Sequence, residues 1–230
     1  MKTKTKIVAT IGPASDHLVT LKKMKENGMD VARINTKYTS RRQLFKLYDL
    51  VKKVGFEVLI DISSLSVLDW MKDRDYDYVA VSFTSSAKQI KEVRKVLGPK
   101  DVKIIAKIEN KRGIRNLDHI LKESDGIMIA RGDLSENIPV ERVPIRQKEI
   151  LKKCKKKNKL SITATEMLYS LVHHKVPKNS ETTDVANAVF DGSGMVMLSE
   201  ETAIGEYPAN AVKVMESIIR EAEKNIGRFC

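Results

Sequence analysis

Short apolar runs alternate along the chain with stretches in which apolar residues recur every three or four positions. The runs, rich in Val and Ile, cover residues 6–11, 30–35, 57–61, 78–83, 102–108, 126–131, 160–165 and 195–199. Such runs, apolar on both faces, are the pattern of buried parallel strands. The amphipathic stretches lie near 17–27, 40–53, 66–74, 87–97, 112–122, 141–157, 181–190 and 208–224. Pro208 at a predicted helix start and Gly55, Gly98 and Gly126 near helix ends punctuate them. Eight strand–helix units predict an α/β fold, a single-domain (β/α)8 TIM barrel over residues 1–230. An open doubly wound sheet is the alternative. No linker, repeat or low-complexity tract divides the chain.

Composition adds bounds rather than function. The 230 residues carry 42 Lys+Arg against 30 Asp+Glu, a formal charge of +12, with 42% hydrophobic and 31% charged residues. This excludes a disordered tail, a collagen-like chain or a small disulfide scaffold. No apolar run approaches a membrane span, and the stretch beginning Met1-Lys2-Thr3-Lys4 lacks the features of a signal peptide. Two cysteines, Cys154 and Cys230, make no framework, so a cytoplasmic protein with reduced thiols is expected. The lysines at 152–159 sit at a helix end, where cations suit the dipole. With few aromatics beside them, nucleic acid is not the expected partner.

Polar residues fall at the C-terminal ends of the strand runs, often two apart and so on one face. They are Arg33 and Asn35, Asp61, Lys107 and Glu109, Arg131 and Asp133, Thr163 and Thr165, and Ser199, Glu200 and Glu201. In a TIM barrel these ends surround the active site. Glu109 and Asp133, from neighbouring strands, suit one hard cation, Mg2+ or Mn2+, with Lys107 alongside to steady an anionic oxygen. The plain alternative is an ion pair between Lys107 and Asp133. No HExxH, GxGxxG or Walker A pattern is present.

These stretches resemble the barrel domain of pyruvate kinases. The match is carried by Thr10-Ile11-Gly12-Pro13-Ala14, Arg33-Ile34-Asn35, Lys107-Ile108-Glu109-Asn110, Ala130-Arg131-Gly132-Asp133-Leu134, Ala164-Thr165-Glu166-Met167-Leu168 and Leu198-Ser199-Glu200-Glu201-Thr202-Ala203. The resemblance implies phosphoryl transfer from phosphoenolpyruvate to ADP. By it, Glu109 and Asp133 hold the divalent metal, and Lys107 and Arg33 contact the transferring phosphoryl group. Thr165 and the backbone N–H groups of Gly132 and Asp133 receive the substrate carboxylate. Asn35 and Asp61 belong to the monovalent-cation and phosphate corner. A homo-oligomer is implied too, since the family assembles as tetramers.

Departures from the family pattern shift the expectation. The run Asp61-Ile62-Ser63-Ser64-Leu65-Ser66 leads straight into a helix, where the family inserts a β-rich lid domain, and no C-terminal regulatory domain is expected in this sequence. Lys37 stands where the family has a serine ligand to K+, so its ammonium is a candidate substitute for that ion. Glu166 and Glu200 replace a glutamine and a glycine. They would repel the phosphates of ADP, or serve as an added acid or base. The expected substrate is therefore a small anion (phosphoenolpyruvate, pyruvate or another keto acid), with the nucleotide half eroded. The competing expectations are a nucleotide-independent enolate enzyme, of oxaloacetate decarboxylase, pyruvate enolisation or aldolase type, and a non-catalytic binding module.

Overall fold

The computed structural model describes residues 3–229; Met1, Lys2 and Cys230, on which part of the terminal and cysteine readings fell, lie outside the described residues. Eight parallel strands close in sequence order into a barrel: β1 Lys6–Thr10, β2 Met29–Asn35, β3 Glu57–Ile62, β4 Tyr78–Val81, β5 Lys103–Ile108, β6 Gly126–Ala130, β7 Leu160–Ala164 and β8 Met195–Leu198. The outer helices are α1 Leu18–Glu26, α2 Arg41–Val54, α3 Ser66–Trp70, α4 Ala87–Leu97, α5 Lys111–Arg115, α6 Leu117–Glu123, α8 Val143–Lys156, α9 Asn179–Phe190 and α11 Pro208–Phe229. Two more, α7 Arg131–Asn137 and α10 Glu200–Ala203, directly follow β6 and β8. The doubly wound alternative is thereby excluded. None of the described helices is long and apolar enough to cross a membrane.

Local chemistry explains the helix ends. Ser40 accepts from the Gln43 N–H while Gln43 reaches back to Ser40, a reciprocal cap that starts α2. Gly55, at φ 82°, ends it in the left-handed conformation. In α11, Ala211, Val212, Met215, Ile219 and Ala222 form the buried stripe that docks on the barrel.

Alternation along the strands sorts side chains into two cores. Val8, Val31, Leu59, Ala80, Ile105, Met128, Ile162, Ala164, Met195 and Met197 fill the barrel interior. Their neighbours in sequence, such as Ile7, Ala32, Ile60, Ile104 and Val196, pack outward against the helices. At Gly126 a Cβ would lie 2.7 Å from the Leu160 Cβ and 2.8 Å from the Ile105 Cδ1, so only glycine fits that inward position. At the N-terminal end of the barrel, the Lys6 ammonium pairs with Glu57 at 2.6 Å and the Tyr78 hydroxyl donates to the same carboxylate at 2.7 Å. This links β1, β3 and β4 across the floor.

Several expected boundaries shift. The sixth strand ends at Ala130, so Arg131, Gly132 and Asp133 lie on α7 rather than on the strand. Thr163 points outward and shares a 2.9 Å hydrogen bond with Ser193, away from the mouth. The helix expected over 112–122 is split into α5 and α6, with Asn116 between them. The one expected over 66–74 stops at Trp70. Residues 63–77, joining β3 to β4, contain only that short helix.

Replacing the fully buried Ile60 by Ala should destabilise the barrel by about 2–5 kcal/mol. Val96→Ala, at a half-exposed site on α4, should stay within about 0.5 kcal/mol. Urea unfolding of both variants checks the contrast.

Candidate functional site at the barrel mouth

The inward positions at the C-terminal ends of β2, β3, β4 and β5 are polar, and they converge. Asp61, only 1% exposed, is the hub. Its Oδ2 accepts from Arg33 Nη2 at 2.7 Å and Nε at 2.9 Å, and Lys107 Nζ lies 3.2 Å from both its oxygens. Ser82 donates to Oδ1 at 3.3 Å and accepts from Lys107 Nζ at 3.1 Å. Arg33 also reaches Thr10 Oγ1 at 2.7 Å. Strand register accounts for the gathering: Thr10 pairs with Arg33, and Asn35 with Asp61, across β1, β2 and β3.

Burial alone would push the Asp61 carboxyl up, but Arg33 and Lys107 outweigh it and hold it below the usual carboxylate range. Two cationic side chains are thereby anchored and oriented at the base of the mouth.

Glu109 continues the same face of β5. Its Oε1 lies 3.1 Å from Lys107 Nζ, and its Oε2 accepts from the Phe83 N–H. Phe83 itself has φ 49° and is half-exposed, so a left-handed backbone residue aims this donor. Burial pushes the Glu109 carboxyl up; Lys107 and the Phe83 N–H oppose this, and the nearby Asp133 carboxylate adds to the rise. Glu109 and Asp133 are thus near enough for each carboxylate to feel the other's charge. Among the described residues, no group of three or more His, Cys, Asp or Glu side chains assembles as a metal cluster. The expected alternative pairing of Lys107 with Asp133 is replaced by its pairs with Asp61 and Glu109.

Thr165 and Gly132 meet as well. A Cβ on Gly132 would lie 2.9 Å from Thr165 Cγ2. Thr165 and Glu166 have φ 74° and 55°, consecutive left-handed residues of which one is β-branched, a strain of about 1–3 kcal/mol each. Glu166 is exposed.

The cation corner differs from expectation. Asn35 Oδ1 accepts from the Lys37 N–H at 3.2 Å, capping a 3-10 turn over Thr36–Tyr38. The Lys37 side chain is exposed, its ammonium 5.4 Å from the centre of the Tyr38 ring, so the structure does not bring it beside Asp61. The positive charge against Asp61 comes from Arg33 and Lys107.

Beside Arg33 opens a cavity of about 530 Å3, lined in part by Gly12, Asp16, Asn35, Tyr38, Lys46 and Glu200. The Asp16 carboxylate there is matched by Lys46 at 3.3 Å. Glu200 lines the same cavity with no partner among the described residues.

Sequence reasoning missed Ser82, and it placed Glu201 and Arg131 at strand ends without giving either a role. Ser82 follows Tyr78 and Ala80 in the inward register of β4, a signal that period-two reading would have found. Glu201 is fully buried and accepts from the Ser199 N–H at 2.7 Å and the Leu168 N–H at 3.1 Å, tying the loops after β7 and β8; burial raises its pKa. The side-chain role of Arg131 left no periodic trace. Cys154 is buried, its thiol pushed up to about 12 by burial, which leaves it inert.

With this geometry in view, the comparisons are decisive. Residues 60–212 match the family model "Pyruvate kinase, barrel domain". The chain belongs to the pyruvate kinase family. It is 39% identical to the pyruvate kinase of Methanocaldococcus jannaschii over 74% of its own length and 39% of that protein. It is 42% identical to a cytosolic pyruvate kinase isozyme of Nicotiana tabacum over 88% of its length and 40% of that protein. With the pyruvate kinase of Geobacillus stearothermophilus the identity is 48%, over 64% of the chain and 26% of that protein. The chain therefore spans about a quarter to two fifths of these pyruvate kinases.

Asp61→Ala should strip the buried Arg33 and Lys107 of their partner and cost about 3–5 kcal/mol at pH 7. Because the native pKa of Asp61 is depressed, this stabilisation is complete above the unfolded value of about 3.9 and is lost as pH falls through the native one. Denaturant midpoints of wild type and D61A should therefore converge only in strong acid.

Proposed function

We propose that the chain acts on phosphoenolpyruvate and pyruvate, moving a phosphoryl group between phosphoenolpyruvate and ADP. The supporting observation is the placement of Arg33 and Lys107, both seated on Asp61, beside the Glu109 carboxylate at one mouth. In this reading Arg33 donates to the phosphoryl oxygens. Lys107 faces the oxygen that becomes anionic as its bond to phosphorus breaks. That phosphorus bonds to a terminal oxygen of ADP, and the enolate left behind takes a proton at carbon to become pyruvate. Thr165 and Gly132 receive the carboxylate.

The donor set suits Mg2+ or Mn2+. Glu109 keeps unused lone pairs on both oxygens, Asp133 lies near, and such ions leave their remaining positions to water and substrate. A divalent ion held by Glu109 and Asp133 would supply charge neutralisation at the phosphoryl and enolate oxygens. K+ has no comparable place, since both Asp61 oxygens are engaged by Arg33, Lys107 and Ser82. Short as it is, the connection over 63–77 offers little to exclude water, so low turnover, or a partner that covers the mouth, belongs to the proposal. A homo-oligomer in the cytoplasm is the setting proposed with it.

A second reading is nucleotide-independent chemistry on keto-acid enolates: decarboxylation, enolisation or aldol cleavage. The unpartnered Glu200 carboxylate favours it, as an acid or base where polyphosphate would be repelled.

A coupled assay with phosphoenolpyruvate, ADP and Mg2+ should show turnover that Lys107→Ala lowers by about 100-fold or more. Replacing tetramethylammonium by K+ should leave it unchanged. Absence of turnover together with detritiation of labelled pyruvate under Mn2+ would select the second reading. Absence of both, with no oxalate bound alongside Mn2+, would reject an enolate site.

A further inference from the structure

Arg131 reaches more groups than any other side chain near the mouth. Its Nε lies 3.2 Å from the Ala164 carbonyl and 3.1 Å from that of Thr165, and Nη2 donates to the Thr165 carbonyl at 2.6 Å. The far edge of the guanidinium meets Asp184 on α9 at 2.7 Å and Gln147 on α8 at 3.3 Å. The side chain is 12% exposed, so these bonds are shielded from water. The carbonyls it grips belong to the turn where Thr165 and Glu166 both take positive φ. A β-branched residue does not hold that conformation by its own preference. Immediately beyond, Thr165 packs over Gly132 so closely that a Cβ on Gly132 would lie 2.9 Å from Thr165 Cγ2.

We propose that Arg131, oriented by Asp184, is a positioning residue that locks the Thr165 turn in place and so shapes the pocket for the substrate's carboxylate. The carboxylate half of this inference rests on the phosphoenolpyruvate-type reading above; the lock on the turn does not. Arg131 acts through Thr165 and touches no reacting atom. The geometry needs a planar fork: one edge holds two successive carbonyls while the other is anchored on a carboxylate. A lysine keeps the charge and one contact but cannot span both.

Two measurements on the full chain test it. Hydrogen–deuterium exchange of the ligand-free protein should show the amides around 165–168 exchanging about 10- to 100-fold faster in Arg131→Met, the scale of losing charge-assisted hydrogen bonds, with the strands unchanged. Oxalate affinity in the presence of saturating Mn2+ should fall by a similar factor, while affinity for Mn2+ alone stays at the wild-type value. Arg131→Lys should lie between wild type and Arg131→Met in both, and it decides the matter if Arg131→Met does not fold. Asp184→Asn, which keeps the shape but not the charge of the anchor, should show a smaller loss of the same kind.

Wild-type exchange at 165–168 in folded Arg131→Lys and Arg131→Met overturns the lock. Accelerated exchange with unchanged oxalate affinity overturns the role toward the carboxylate. A wild-type protein that takes up Mn2+ but no oxalate overturns the functional reading and the carboxylate role together, and exchange still judges the lock.

Discussion

Everything at the mouth is arranged around one buried carboxylate. Asp61 sits where β3 ends, and both cations that face the opening lean on it, Arg33 from β2 on one side and Lys107 from β5 beyond β4 on the other. Two buried cations so close would repel each other and resist desolvation; a shared anion offsets both costs. The same anion restricts their rotamers, because Arg33 is held by two of its nitrogens and Lys107 is shared between Asp61 and Glu109. An incoming anion therefore meets cations already oriented, and little ordering remains to be done on binding.

How much of this was legible in the sequence depended on which element carried the residue. Strands announce themselves through paired burial, and the period-two rule places Arg33, Asp61, Lys107 and Glu109 at the ends of their strands on one face. The rule fails one residue past a strand. Asp133 and Thr165 were placed by continuing β6 and β7, yet the chain turns into α7 after Ala130 and into a left-handed turn after Ala164. Their closeness to the site comes from that turning. Lys37 was drawn toward the cation corner by its alignment with a family ligand, but a flexible four-carbon stem finds an aromatic ring and solvent nearer at hand. Glu201 and Arg131 bond to backbone groups from separate loops, and no local pattern encodes such contacts.

Family membership settles the architecture and leaves the chemistry to the site. At the mouth that site is chiefly electrostatic: two cations on one carboxylate, a second carboxylate beside them, and the turn that carries Thr165. Beside it lies the adjoining cavity, lined in part by Glu200, and the β3–β4 connection holds only one short helix. On the function proposed above, such a barrel would separate recognition of a small acid, rooted in strands, from shelter of the reaction, which falls to whatever lies above the loops.

The opposite end of the barrel has its own consequence. Lys6, Glu57 and Tyr78 bar the axis there, and α8 delivers Lys152, Lys155, Lys156 and Lys157 to that same side as it runs down to β7. The end of α8 thus gathers exposed lysines on the side of the barrel away from the mouth. On a negatively charged support those amines are a ready point of contact, and contact there leaves the opening free to solution.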